Sequence, residues 1–173
     1  MKITISGPPG SGTTTVAKKL SEKLGIPLIS AGEVFRQLAM EKGMTLEEFS
    51  KLAETDPKID NLVDQRQKEL SNQYDSGIFE GRLSGWMIDA DLKVWIYCRP
   101  EVRYERIAKR ENKPIEVVRA ETKLREESER SRYLKIYGID IDDLSIYHLA
   151  VNSEKFNPDE IVEIILKALE IVK

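Results

Sequence analysis

The chain contains a single cysteine, Cys98, and a single histidine, His148. One thiol excludes an internal disulfide and fits a reducing compartment, so a cytoplasmic location is expected. No apolar run approaches the length of a membrane-spanning helix. The N-terminus enters a strand pattern at once, without the charged-then-apolar order of a signal peptide, so no membrane partner is expected. Positive charge is not in excess: the formal net charge is −3, which argues against a broad nucleic-acid surface and makes any cationic function local. A hydrophobic content of 40% can build a core, and 173 residues fit one globular domain with room for inserted segments.

The most informative segment lacks one residue of its own pattern. Gly7-Pro8-Pro9-Gly10-Ser11-Gly12-Thr13-Thr14-Thr15 follows the apolar run Ile3-Thr4-Ile5-Ser6. It has the skeleton of a phosphate-binding loop: two glycines at the required spacing, a hydroxyl residue after them, a strand before and a helix after. Such a turn brings backbone N–H groups against phosphate oxygens, and the following helix points its positive end at the same anion. Where the usual loop has lysine, this chain has Thr13. The charge that normally meets the β- and γ-phosphates is missing.

Short apolar runs at 3–5, 26–29, 77–80, 93–97 and 148–151 read as five strands. They are nearly continuous in apolar character, as parallel strands covered on both faces are. Helical patterns long enough for crossovers lie between them, so the fold class is a three-layer α/β domain on a five-stranded parallel sheet. Two stretches read as insertions: 32–74, punctuated by Gly43 and Asp56-Pro57, and the densely charged 103–137, interrupted at Asn112-Lys113-Pro114. Asp140, Asp142 and Asp143 read as caps of a short helix. His148 reads as a strand residue, and Cys98 as inert.

Phosphoryl transfer needs the donor phosphates held, a magnesium ion bridging them, and positive charge on the migrating group. Thr14 has the loop position whose hydroxyl coordinates magnesium. Glu80, at a strand end, could hold a metal-bound water or be a plain strand-end acid. An acceptor that is itself a phosphate needs no base, and arginines take that place. Arg36 opens a helix after Ser30-Ala31, and Arg82 lies just past a strand's C-terminal end, where open α/β sheets place ligands. Arg125 and Arg132 share one helix face, as do Arg106 and Arg110. Guanidinium forks suit phosphate; salt bridges with the many neighbouring glutamates are the competing explanation.

Taken with Glu80-Gly81-Arg82-Leu83-Ser84-Gly85-Trp86, the 125–133 segment and Tyr137-Gly138-Ile139-Asp140-Ile141-Asp142-Asp143-Leu144, these residues resemble a nucleoside monophosphate kinase of the archaeal cytidylate kinase type. The resemblance implies a single P-loop kinase domain over 1–173, with a monophosphate-binding insertion at about 32–74 and a small lid within about 103–137. It implies ATP phosphates on 7–15, the acceptor monophosphate on Ser30, Arg36 and Arg82, and Arg125, Arg132 and Arg82 acting on charge during transfer. Arg106 and Arg110 would belong to the lid. Bacterial cytidylate kinases carry an aspartate after the arginine matching Arg82. Leu83 stands here, which leaves Asp64, Arg66 and Gln67 as candidates for reading cytosine. The lost lysine is shared with the archaeal type, and lid arginines are expected to replace its charge.

The expected activity is magnesium- and ATP-dependent phosphorylation of CMP, with dCMP as a second acceptor, by a monomer that binds no nucleic acid. A kinase of the same architecture for AMP, UMP or a shikimate-like metabolite is the alternative within the class. A non-catalytic nucleotide-binding module is the alternative outside it.

Overall fold

A computed structural model describes residues 1–172. Its elements run β1 (Lys2–Ser6), α1 (Thr13–Leu24), β2 (Leu28–Ser30), α2 (Ala31–Glu41), α3 (Leu46–Thr55), α4 (Pro57–Asn72), β3 (Gly77–Glu80), α5 (Ser84–Met87), β4 (Leu92–Tyr97), α6 (Pro100–Glu111), α7 (Ile115–Tyr137), β5 (Leu149–Asn152) and α8 (Pro158–Val172). The strands form one sheet in the order β2-β3-β1-β4-β5, with every pairing parallel. The α/β class and the five-stranded parallel sheet expected from the apolar runs are thus what the chain forms.

Alternation along β1 explains the layering. Ile3 and Ile5 are fully buried toward α1 and α8, where they meet Val16, Leu20, Ile161 and Ile165. Phe79 and Ile29 face the other side and pack with Val34, Leu38, Phe49 and Ile59 of α2, α3 and α4. Each fully buried side chain of this size contributes about 1.5–3 kcal/mol, so cutting Ile5 to alanine removes more than a surface contact could restore. A smaller apolar cluster of Leu83, Tyr133 and Ile141 ties α7 to the residues after β3.

Helix ends follow local chemistry. Asp56 caps α4 through Lys58 N, with Pro57 at its first position. Thr45 caps α3 by accepting from Glu48 N. Asn112, at φ 53°, closes α6 before Pro114 admits α7. Two expectations shift. The second strand begins at Leu28, not at residue 26, because Pro27 has no N–H for the ladder and supplies only its carbonyl, to Ile78 N. Asp140 and Asp143 cap no helix: their carboxylates accept from the backbone N–H groups of Asp142 and Ser145 in successive turns. His148 sits one residue before β5, where its Nδ1 accepts from Lys93 N. Among the described residues, no helix is long and apolar enough to cross a membrane.

Candidate active site

β1 is flanked by β3 on one side and β4 on the other, so the chain's crossovers diverge at its C-terminal end. Open α/β sheets leave a crevice at such a point, and residues 7–12 occupy it. Gly7 must be glycine: a Cβ there would lie 2.3 Å from the Ile96 carbonyl oxygen. Gly10 and Gly12 take φ of 80° and 100°, so the loop turns through a conformation that side chains resist. Ser11 N donates to Pro8 O, Thr13–Leu24 forms α1, and Thr13, Thr14 and Thr15 make its first turn. The helix therefore presents its positive end to the loop.

Glu80 is the hub beneath the loop. It is buried; its Oε1 accepts from Thr13 Oγ1 at 2.9 Å and Thr14 Oγ1 at 3.1 Å, and its Oε2 accepts from Ser30 Oγ at 2.9 Å. Hydroxyl and carboxylate oxygens are the donor set that magnesium takes, so Thr14 and Glu80 fit that ion chemically. Gln67 braces the same corner: Nε2 donates to Ile29 O and Glu80 O, while Oε1 accepts from Ser84 Oγ. Both amide hydrogens of Gln67 are thereby engaged in holding α4 to the tips of β2 and β3. A remaining lone pair on Oε1 is all it can offer a ligand.

Arg82, Arg125 and Arg132 are each seated on a carboxylate. Glu129, buried on α7, lies between two of them: Arg82 Nη1 is 3.0 Å from Oε2, and Arg125 Nε donates to Oε1 at 2.9 Å. Burial alone would raise the Glu129 carboxyl, but the Arg82 and Arg125 guanidinium groups outweigh it and hold the group below its ordinary value. Arg132 donates through Nε to Asp60 Oδ2 at 2.8 Å and through Nη1 to Ser128 Oγ at 2.6 Å. Tyr137 donates to Asp64 Oδ2 at 2.7 Å. Helices α4 and α7 are therefore joined by an ion pair and a hydrogen bond. Asp60, Glu129 and the Asp64–Tyr137 contact were not legible as partners. The only trace in the sequence is Glu129's four-residue spacing from Arg125.

The other candidate arginines make no ion pair with Glu129 or Asp60. Arg36 projects from the exposed face of α2, and Arg66 pairs with Glu41 at 3.2 Å near the outer edge of the insertion. Arg110 is exposed, 4.0 Å from Glu111. Arg106 lies against the phosphate loop, and Arg103, which sequence reasoning missed, lies beside it. The buried Arg103 donates from Nη1 to Pro9 O at 3.1 Å and pairs with Glu126 of α7. Its signal was the three-residue spacing from Arg106 on one helix.

Burial raises the Asp64 carboxyl to about 6, opposed by the Tyr137 hydrogen bond. The folded chain therefore holds this proton more tightly than the unfolded chain. The group's contribution to stability is full below about 4 and is lost as pH rises through about 6. Asp64→Asn removes that loss. Urea unfolding at pH 4 and pH 7 should show the variant gaining up to about 3 kcal/mol relative to wild type between the two. A pH-independent difference would contradict the burial account.

A phosphate loop at the switch point of a 2-3-1-4-5 parallel sheet, a helical insertion after the second strand and arginines gathered between them define a P-loop kinase. Solved structures agree at the level of fold. A shikimate kinase from Bacteroides thetaiotaomicron aligns with a TM-score of 0.64 over 98% of each chain at 15% identity. One from Aquifex aeolicus aligns at 0.62 over 98% of this chain and 96% of its own, at 24% identity. Sequence narrows the class. The model of the cytidylate kinase-like family matches residues 2–155. A cytidylate kinase of Archaeoglobus fulgidus is 64% identical over 100% of this chain and 97% of its own length, and one of Methanocella arvoryzae is 52% identical over 100% and 99%. The chain belongs to the cytidylate kinase-like family.

Proposed function

We propose that the protein transfers the γ-phosphoryl group of ATP to CMP, and to dCMP as a second acceptor. The observation that carries this reading is the gathering of Arg82, Arg125 and Arg132 on the carboxylates of buried Glu129 and half-buried Asp60. Guanidinium groups held in place before the substrate arrives lose little freedom when phosphate replaces the carboxylate. A monophosphate acceptor is already ionised, so no general base is required. The backbone of 7–15 holds the donor phosphates, and Ser30, Arg36 and Arg82 take the acceptor phosphate. Arg125 and Arg132 meet charge spread over the equatorial oxygens. Thr14, with Glu80 through a water, would hold magnesium, which when bound neutralises charge on the donor phosphates.

Residues 32–74 form the acceptor-binding insertion, and the lid lies within 103–137. Cytosine is read from the insertion. With the Gln67 amide engaged and Arg66 paired outward, Asp64 is the insertion residue best placed for that role. An acceptor panel in a coupled ADP assay tests the reading. CMP is expected to give the highest kcat/KM, dCMP to follow, and UMP, AMP and shikimate to trail. Fastest turnover with shikimate or AMP would overturn the acceptor assignment, and failure to form ADP with any acceptor in the panel, despite tight ATP binding, would overturn the kinase reading.

A further inference from the structure

Arg82 and Arg125 share Glu129, Arg132 is paired with Asp60, and Arg103 is paired with Glu126. Each of those cations sits on an anion. Arg106 differs. Its Nη2 donates to Ser153 O at 2.8 Å and its Nη1 to Ser153 Oγ at 3.0 Å. The same Nη1 reaches Ser11 O at 3.3 Å, Gly10 O at 3.4 Å and Cys98 Sγ at 3.6 Å. All of these acceptors are neutral. The guanidinium is half-buried and anchored on the turn after β5 against the outer wall of the phosphate loop; the nearby Glu154 carboxylate is hydrogen-bonded by Arg99 and not by Arg106.

We propose that Arg106 is a positioning residue that supplies, from behind the phosphate loop, the positive charge that Thr13 cannot supply from within it. This rests on the proposed phosphoryl-transfer reading and deepens it.

The physical route is short. In a trans peptide the carbonyl and the N–H of the same unit point in opposite directions. A cation on the Ser11 carbonyl therefore polarises the Gly12 N–H, whereas the Ser11 N–H behind the Gly10 carbonyl is already engaged by Pro8 O. Hydrogen bonds in such a chain strengthen one another, and a charged donor does so most. Gly12 N–H lies at the start of α1, where the helix dipole already favours an anion. Arg103 does the same geometric work at the Pro9 carbonyl, but its charge is cancelled by Glu126. Arg106 is thus the guanidinium on this wall with field to lend. Because it is already hydrogen-bonded to peptide oxygens, it is fixed before nucleotide arrives.

Binding of magnesium-free inorganic tripolyphosphate and of MgATP, followed calorimetrically, tests this without reference to the acceptor. Arg106→Gln keeps an amide donor but loses the charge, and it should weaken both ligands roughly tenfold at low salt. Arg106→Lys should retain most of the affinity. Thr13→Lys should restore tripolyphosphate binding in the Arg106→Gln background, because the ammonium then enters the loop directly. Loss of MgATP binding with tripolyphosphate unaffected would overturn the proposal in favour of contact with the base. Failure of Thr13→Lys to restore a folded Arg106→Gln protein would overturn it in favour of a simple brace. Should Arg106→Gln not fold, Ser153→Ala decides: it loosens the anchor and leaves the charge, so a severalfold loss is expected and unchanged affinity overturns the assignment. Wild-type protein that binds neither ligand would overturn this proposal and the functional reading together. Normal binding with a different preferred acceptor would support this proposal while overturning the acceptor assignment.

Discussion

Arg132→Ala is expected to lower kcat with CMP roughly 10³-fold or more, the scale seen when a guanidinium is removed from a transferring phosphoryl group. The expectation rests on where Arg132 is held. Its fork spans Asp60 on α4 and Ser128 on its own helix, so it bridges α4 and α7 with donors fixed in a plane. Phosphate presents the same pair of oxygens that Asp60 presents. The swap of partner costs little, whereas a lysine would meet only one oxygen. Truncation also leaves Asp60 without its cation, so the double variant Asp60→Asn/Arg132→Ala separates the effects. If catalysis is the loss, the double variant remains as slow as the single one while its thermal midpoint recovers. A near-normal kcat for a folded Arg132→Ala would remove Arg132 from the chemistry.

Glu129→Ala should cost about 3 kcal/mol of stability at pH 7, a large share of what a domain of this size holds. The Glu129 side chain is 7% exposed and that of Arg82 is 12% exposed, so its removal leaves a mostly buried guanidinium without its partner. Arg125, 65% exposed, can turn to solvent and adds less. The sign with pH follows from the depressed carboxyl. Its stabilising contribution is present above the unfolded value near 4.5 and disappears as pH falls through the lower folded value. Wild type and Glu129→Gln should therefore converge in urea unfolding under acid conditions and separate toward neutrality. Inorganic phosphate should raise the midpoint of Glu129→Ala more than that of wild type, because a free anion can occupy the vacated place between the arginines. Equal response of both proteins to phosphate would contradict the view that Glu129 stands where an anionic substrate group binds.

The parts of this molecule that could be read from its sequence are those set by neighbours in the chain. Gly7, Gly10 and Gly12 announce the phosphate loop because backbone conformation is local, and the capped start of α4 at Asp56-Pro57 is visible for the same reason. The parallel strands show themselves through unbroken apolar runs. What sequence reasoning could not see is pairing across the fold. Arg132 and Asp60 are separated by 72 positions, and nothing near either names the other. Gln67 looked like a polar residue available to a ligand, and only tertiary structure shows its amide clamped between β2 and β3. Arg106 and Arg110 share a helix face by spacing, yet one is drawn onto the phosphate loop by Ser153 and the other faces solvent. Periodicity gives direction on a helix, but the position of the next element decides which direction is inside.

The central claim is that guanidinium groups parked on Glu129 and Asp60 move onto substrate phosphates and meet the charge of the transferring group. A crystal structure of the protein with CMP and a non-hydrolysable ATP analogue tests it most directly. The account requires Arg82, Arg125 and Arg132 to hydrogen-bond phosphate oxygens, with their carboxylate contacts lengthened or lost. Both ligands seated in the cleft while these arginines remain on Glu129 and Asp60 would contradict it.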